Sequence, residues 1–187
     1  MINLILPSVL PWIGLAIAAQ NVPQSLLPPI WFGLFFYMLV YAWQFLRLLE
    51  PITWANVSLF AVLFMNRSLG LSGWLQENSV TFCYLVFGTA GMVSILVGKP
   101  FSGVYGRMQV PSEHWEHPLF KRTNLVISCV WVAVFAISAA VCAFASQSEL
   151  LARVVCIALL IGAVIFTDRY PTNVKNRAMA TSQTANG

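Results

Sequence analysis

The run Ser112, Glu113, His114, Trp115, Glu116, His117 is where residue types and spacing could do chemistry. If it is helical, His114 and His117 share a face one turn apart, as do Glu113 and Glu116. Two nitrogen and two carboxylate donors so placed suit a divalent metal. These are the only 2 histidines in the chain, however, and a catalytic metal generally takes a third protein ligand. The plainer reading is a short amphipathic helix at a membrane surface, begun by Pro111 and Ser112. Trp115 then sits in the interface and the acids lie near the positive end of the helix dipole. His114 and His117 are therefore weak metal candidates, and no metal or other cofactor is expected.

Other chemistries find less. There is no GxSxG elbow, no Cys/His arrangement and no Ser/Lys pair at a recognised spacing. GKPFSGVYG, residues 98–106, lacks the spacing of a phosphate-binding loop and has Pro100 inside it. The 4 cysteines, Cys83, Cys129, Cys142 and Cys156, all lie in apolar stretches, where they are expected as small packing side chains. They show neither a disulfide framework nor metal-ligand spacing.

The elements that must position these groups follow from composition. Hydrophobic residues make up 59% of the chain and charged residues 9%, against roughly 25% charged in a soluble domain. The chain is therefore expected to be an all-α integral membrane protein, since a span needs about 20 apolar residues. Six transmembrane helices are predicted, at residues 1–19, 28–49, 52–69, 79–98, 124–146 and 151–167. A cytoplasmic loop, 99–123, joins the fourth to the fifth, and 168–187 is read as a flexible cytoplasmic tail. Trp31 and Trp43 are expected at the two ends of the second span, in an aromatic belt. Gly88 and Gly91 in the fourth span, and Ala136, Ala140 and Ala143 in the fifth, are read as places of close helix approach.

Orientation follows from the Lys and Arg residues. With six spans and a cytoplasmic N-terminus, Arg47, Lys99, Arg107, Lys121, Arg122, Arg169, Lys175 and Arg177 fall inside. Arg67 and Arg153 fall outside, a clear positive-inside bias. The net charge of +4 is then met by anionic lipid, and no nucleic-acid partner is expected.

Tyr41, Ala42 and Trp43, then Lys99, Pro100 and Phe101, then Gly106, Pro111, Trp115, Asn124, Trp131 and Phe135 form a further pattern. Over residues 41–135 it resembles the intracellular septation protein A family of bacterial inner-membrane proteins. The most specific piece is Lys-Pro followed by a glycine and then by a proline four residues before a tryptophan. Residues 116–123 form an insertion relative to that pattern, and the histidines lie outside it. The resemblance implies a small multi-pass inner-membrane protein of envelope maintenance and division, acting through protein contacts without a known reaction.

The leading expectation is a non-catalytic subunit of a membrane assembly, located in the bacterial inner membrane with both termini cytoplasmic. Its partners are membrane lipids and other integral membrane proteins. Lys99, Pro100, Arg107, Pro111, Trp115, Lys121 and Arg122 form the expected docking surface for a partner or anionic lipid. One alternative is a small-molecule or lipid transporter with a path near Asn56, Ser58, Asn66 and Thr89. Another is a membrane enzyme using Glu113, His114, Glu116 and His117.

Overall fold

The computed structural model describes residues 10–14, 18, 22–23, 26–47, 51–144 and 149–185. Among these the chain is all-helical, without strands. In order come α1 (Leu27–Arg47), α2 (Pro51–Leu69), the short α3 (Gly73–Glu77), α4 (Ser79–Leu96), the short α5 (Ser102–Arg107), a 3-10 turn (Ser112–His114), α6 (Pro118–Phe144) and α7 (Glu149–Ala185).

Three of these helices are long and apolar enough to cross a membrane by length and composition: Ser79–Leu96, Pro118–Phe144 and Leu150–Asn176. Leu85, Val93, Ile137, Ile157, Ile161 and Ile165 stay exposed on their outer faces. Such surface is unfavourable in water and suited to acyl chains. The protein is a membrane protein.

The six-span expectation is met only in part. The first span, 1–19, lies mostly outside the described residues. The second folds as α1, a helix of 21 residues from Leu27 to Arg47, whose apolar stretch among the described residues is Leu27–Trp43. The third folds as α2, but its Thr53, Asn56, Asn66 and Arg67 hold it below the apolarity of the other spans, and the first three of these are buried. The fifth begins earlier than expected, at Pro118. Proline at the first helical position gives up only an N–H that would have lacked a helical partner. The sixth runs on as one helix to Ala185 past Pro171, so residues 168–185, part of the expected flexible tail, are helical. At 1.5 Å per residue α7 would be about 55 Å long, well beyond the ~30 Å hydrocarbon layer.

Packing passes from neighbour to neighbour: α1 on α2, α2 on α4, α4 on α6 and α6 on α7, with α5 also on α6. The centre of the α1–α2 contact is Phe60, fully buried among Met38, Ala42 and Val57. Trp12, Trp31 and Phe35 put their rings 5.1, 4.8 and 6.1 Å from it. Trp31 thus takes part in the packing between α1 and α2.

The α4–α6 contact is antiparallel. A Cβ on Gly88 would stand 3.5 Å from Cβ of Phe135, and one on Gly91 would meet Val132 Cγ2 at 2.8 Å. Gly91 is therefore a point of close approach. Ala136, Ala140 and Ala143 do not act this way, since all three are exposed on α6. The helix turns Asn124, Ile127, Ser128, Val132, Ser138 and Ala139 inward instead.

Candidate functional site

The polar interval between α4 and α6 is a folded clasp. It starts where α4 ends: Gly98 takes φ +74°, its N–H donates to Ile95 O at 2.9 Å, and the Lys99 N–H donates to Ser94 O at 2.9 Å. This paired closure satisfies two helix-end carbonyls and requires a left-handed residue, which glycine supplies without a Cβ penalty. Pro100 then prevents the helix from resuming along its old axis, and its carbonyl accepts the Gly103 N–H at 2.9 Å as the chain turns into α5.

A buried network of neutral groups holds α5 against the neighbouring spans. Ser94 Oγ donates to Gly91 O at 2.7 Å and accepts the Phe101 N–H at 3.2 Å. Ser102 Oγ donates to Asn124 O at 2.7 Å, and Ser128 Oγ donates to Ser102 Oγ at 3.1 Å. The Ser102 N–H donates to Ser128 Oγ at 3.3 Å, and Asn124 Nδ2 donates to Phe120 O at 2.9 Å. Ser102 and Ser128 are 2% and 0% exposed, so water cannot replace these bonds. Gly106 completes the fit, since a Cβ there would stand 3.0 Å from Asn124 Oδ1 and 3.2 Å from the Phe120 ring.

Outside this network lies the charge. Lys99, Arg107, Lys121 and Arg122 are all exposed. The Arg107 guanidinium carbon stands 5.4 Å from the Trp115 ring centroid, a cation–π contact. The Trp115 indole N–H donates to Val110 O at 2.9 Å, which fixes the ring under that charge. Lys121 pairs with Glu116, holding the Glu116 carboxyl below its ordinary pKa through the hydrogen bond and the charge of the amine. Lys121 and Arg122 ride on the first turns of α6 rather than on a loop. Pro111 precedes the 3-10 turn in extended geometry, with φ −54° and ψ 147°.

The expected amphipathic helix over 112–117 is only this 3-10 turn, ending at His114. His117 instead caps α6: its Nδ1 accepts the Leu119 N–H at 3.2 Å, the role of a residue just before a helix. Among the described residues no group of three or more His, Cys, Asp or Glu is placed to hold a metal ion.

The polar residues of α2 have their own work. Trp12 Nε1 donates to Asn56 Oδ1 at 2.7 Å. Asn66 accepts the Ser72 N–H at 2.7 Å and donates to Ser72 O at 3.1 Å, joining α2 to the start of α3. Ser58 and Thr89 are exposed. An open groove lined by Pro28, Pro29, Phe32, Gly33, Phe36 and Phe64 is apolar.

The cations of the clasp were visible in the sequence, whereas Ser94, Ser102 and Ser128 were not singled out. Their signal was the four-residue spacing of Asn124 and Ser128, which puts two polar groups on one face of an otherwise apolar helix. Comparison with protein-family models, curated proteins and solved structures finds no match to this chain.

Proposed function

We propose that this is a non-catalytic subunit of a membrane assembly, whose clasp docks an acidic partner surface or anionic headgroups. The supporting observation is the contrast within the clasp. Its backbone is tied down by buried serines and Asn124, while Lys99, Arg107, Lys121 and Arg122 face outward. A rigid frame lowers the ordering cost of binding, and exposed cations recognise anionic groups at a membrane surface.

The same reading takes residues 1–19, 28–49 and 52–69 as three further spans and puts the clasp and both termini in the cytoplasm of a bacterium. The segregation of Lys and Arg supports that orientation. The resemblance to the septation protein A family supports a role in envelope maintenance or division.

The test is purification from native membranes in mild detergent, comparing the wild type with a Lys99→Gln, Arg122→Gln variant. Neither residue belongs to the network that holds the clasp. The wild type is expected to bring down a larger complex, and the variant to lose most of it. Recovery of the wild type as a lone monomer, or equal recovery of the complex with both chains, would overturn the proposal.

A further inference from the structure

At the end of α6 away from the clasp, two thiols meet. Cys142 Sγ lies 3.6 Å from Cys156 Sγ on α7, and Cys156 Sγ is also 3.8 Å from the carbonyl of Ser138. The pairing follows from the antiparallel course of the two helices, which sets Trp131 against Thr167 through a 2.9 Å hydrogen bond nearer the clasp and Cys142 against Cys156 further along. The two thiols differ in access: Cys156 is 3% exposed, whereas Cys142 is partly exposed and stands two residues before the last residue of α6.

We propose that Cys142 and Cys156 are a dithiol–disulfide couple that closes by exchange with a low-molecular-weight disulfide arriving from the water phase. Disulfide exchange is an attack by a thiolate on a disulfide sulfur, through a mixed disulfide. Cys142, the accessible thiol, gives up its proton and attacks one sulfur of the incoming disulfide. That forms a bond from its Sγ to the small molecule and expels the first small thiolate. Cys156, already beside it, then gives up its proton and attacks Cys142 Sγ, expelling the second thiolate. The protein loses two protons and two electrons, and the small disulfide gains them as two thiols. The sulfurs must close from 3.6 Å to about 2.05 Å, a movement of side chains rather than of helices. The product fastens α6 to α7 at the end away from the clasp.

The experiment uses the purified full-length chain in detergent, reduced, then given excess oxidised glutathione, quenched in acid and weighed intact. On digestion the wild type should yield Cys142 and Cys156 as one linked peptide, two hydrogens lighter than the reduced pair and without glutathione on either sulfur, whatever adduct the exposed Cys129 carries. Cys156→Ser should trap one glutathione on Cys142, since the resolving thiol is gone. Cys142→Ser should leave Cys156 unmodified for a time on the order of tenfold longer, because the buried thiol is poorly reached. A wild type that keeps both thiols, or a Cys142→Ser chain that takes glutathione at Cys156 as fast as Cys156→Ser takes it at Cys142, overturns the proposal.

Discussion

Replacing Ser102 with alanine tests whether the buried network holds the clasp. The substitution removes the donor to Asn124 O and the acceptor of Ser128 Oγ. Inter-helix hydrogen bonds in membrane proteins average about 0.6 kcal/mol each, so the pair accounts for about 1.2 kcal/mol. Ser128 is fully buried, and leaving its hydroxyl without an acceptor adds about 1 kcal/mol. The clasp should therefore open about 30-fold more often, taking about 2 kcal/mol at 1.4 kcal/mol per tenfold. Hydrogen–deuterium exchange followed by mass spectrometry reads this directly, because local opening sets the exchange of the amides it frees. Exchange should accelerate by about that factor in peptides covering residues 99–108, while those from the middle of α4 and α6 hold their rates. A change below about threefold in the clasp, or an equal rise in all peptides, would refute the reasoning. A Ser102→Ala, Ser128→Ala double variant should open the clasp less than the sum of the single effects, because the two hydroxyls share a bond.

Gly88 and Gly91 should respond differently to alanine. The new methyl at Gly88 would make ordinary contact with Phe135, whereas at Gly91 it would press on Val132 Cγ2 at 2.8 Å; Gly91→Ala should lower thermal stability in detergent by about 1–3 kcal/mol, as overpacking does, and Gly88→Ala should leave it nearly unchanged. Equal melting shifts for the two variants would show that the α4–α6 approach is not as close as described. Glu116 should titrate below the ordinary carboxylate range because Lys121 favours its charged form. Its depressed value means that the contribution of the pair is present above the unfolded-state pKa and is lost as pH falls through the lower folded-state value. The pair is exposed, so NMR titration of the carboxyl is the measurement, and Lys121→Ala should raise the midpoint toward the ordinary value.

The long apolar runs that became α4, α6 and the first half of α7 were legible because lipid demands uninterrupted apolar length. The helix beyond Thr167 was not. Residues 168–187 read as a flexible tail because they lack apolar periodicity, yet charges such as Asp168 and Arg169 mark the end of a span rather than the end of a helix. Proline removes one hydrogen bond and can be accommodated by a kink. Smallness also misled: Ala136, Ala140 and Ala143 have the spacing for close packing, but a stripe packs only where another helix faces it, and here α4 meets α6 through Gly91 against Val132 instead. The Cys142–Cys156 pair was invisible for a similar reason. It arises from the register between two helices, which local spacing does not encode.

Neutrality links the two ends of α6. Its ties to its neighbours are hydroxyls, an amide, an indole and thiols: Ser102 with Asn124 and Ser128, Trp131 with Thr167, and Cys142 with Cys156. Ionised groups at these depths would carry a desolvation cost that short neutral groups avoid. Confining the charges to the surface leaves Lys99, Arg107, Lys121 and Arg122 to face outward from a backbone already held by other means. The antiparallel course of α6 and α7 brings the emergent half of α7, with exposed Arg169 and Lys175, out at the same end as the clasp. On the docking reading, a partner seated there meets cations from two elements joined through α6. α1 packs on α2, α2 on α4 and α4 on α6, so changes in the Phe60 core should weaken the protein's stability before they alter the shape of the clasp.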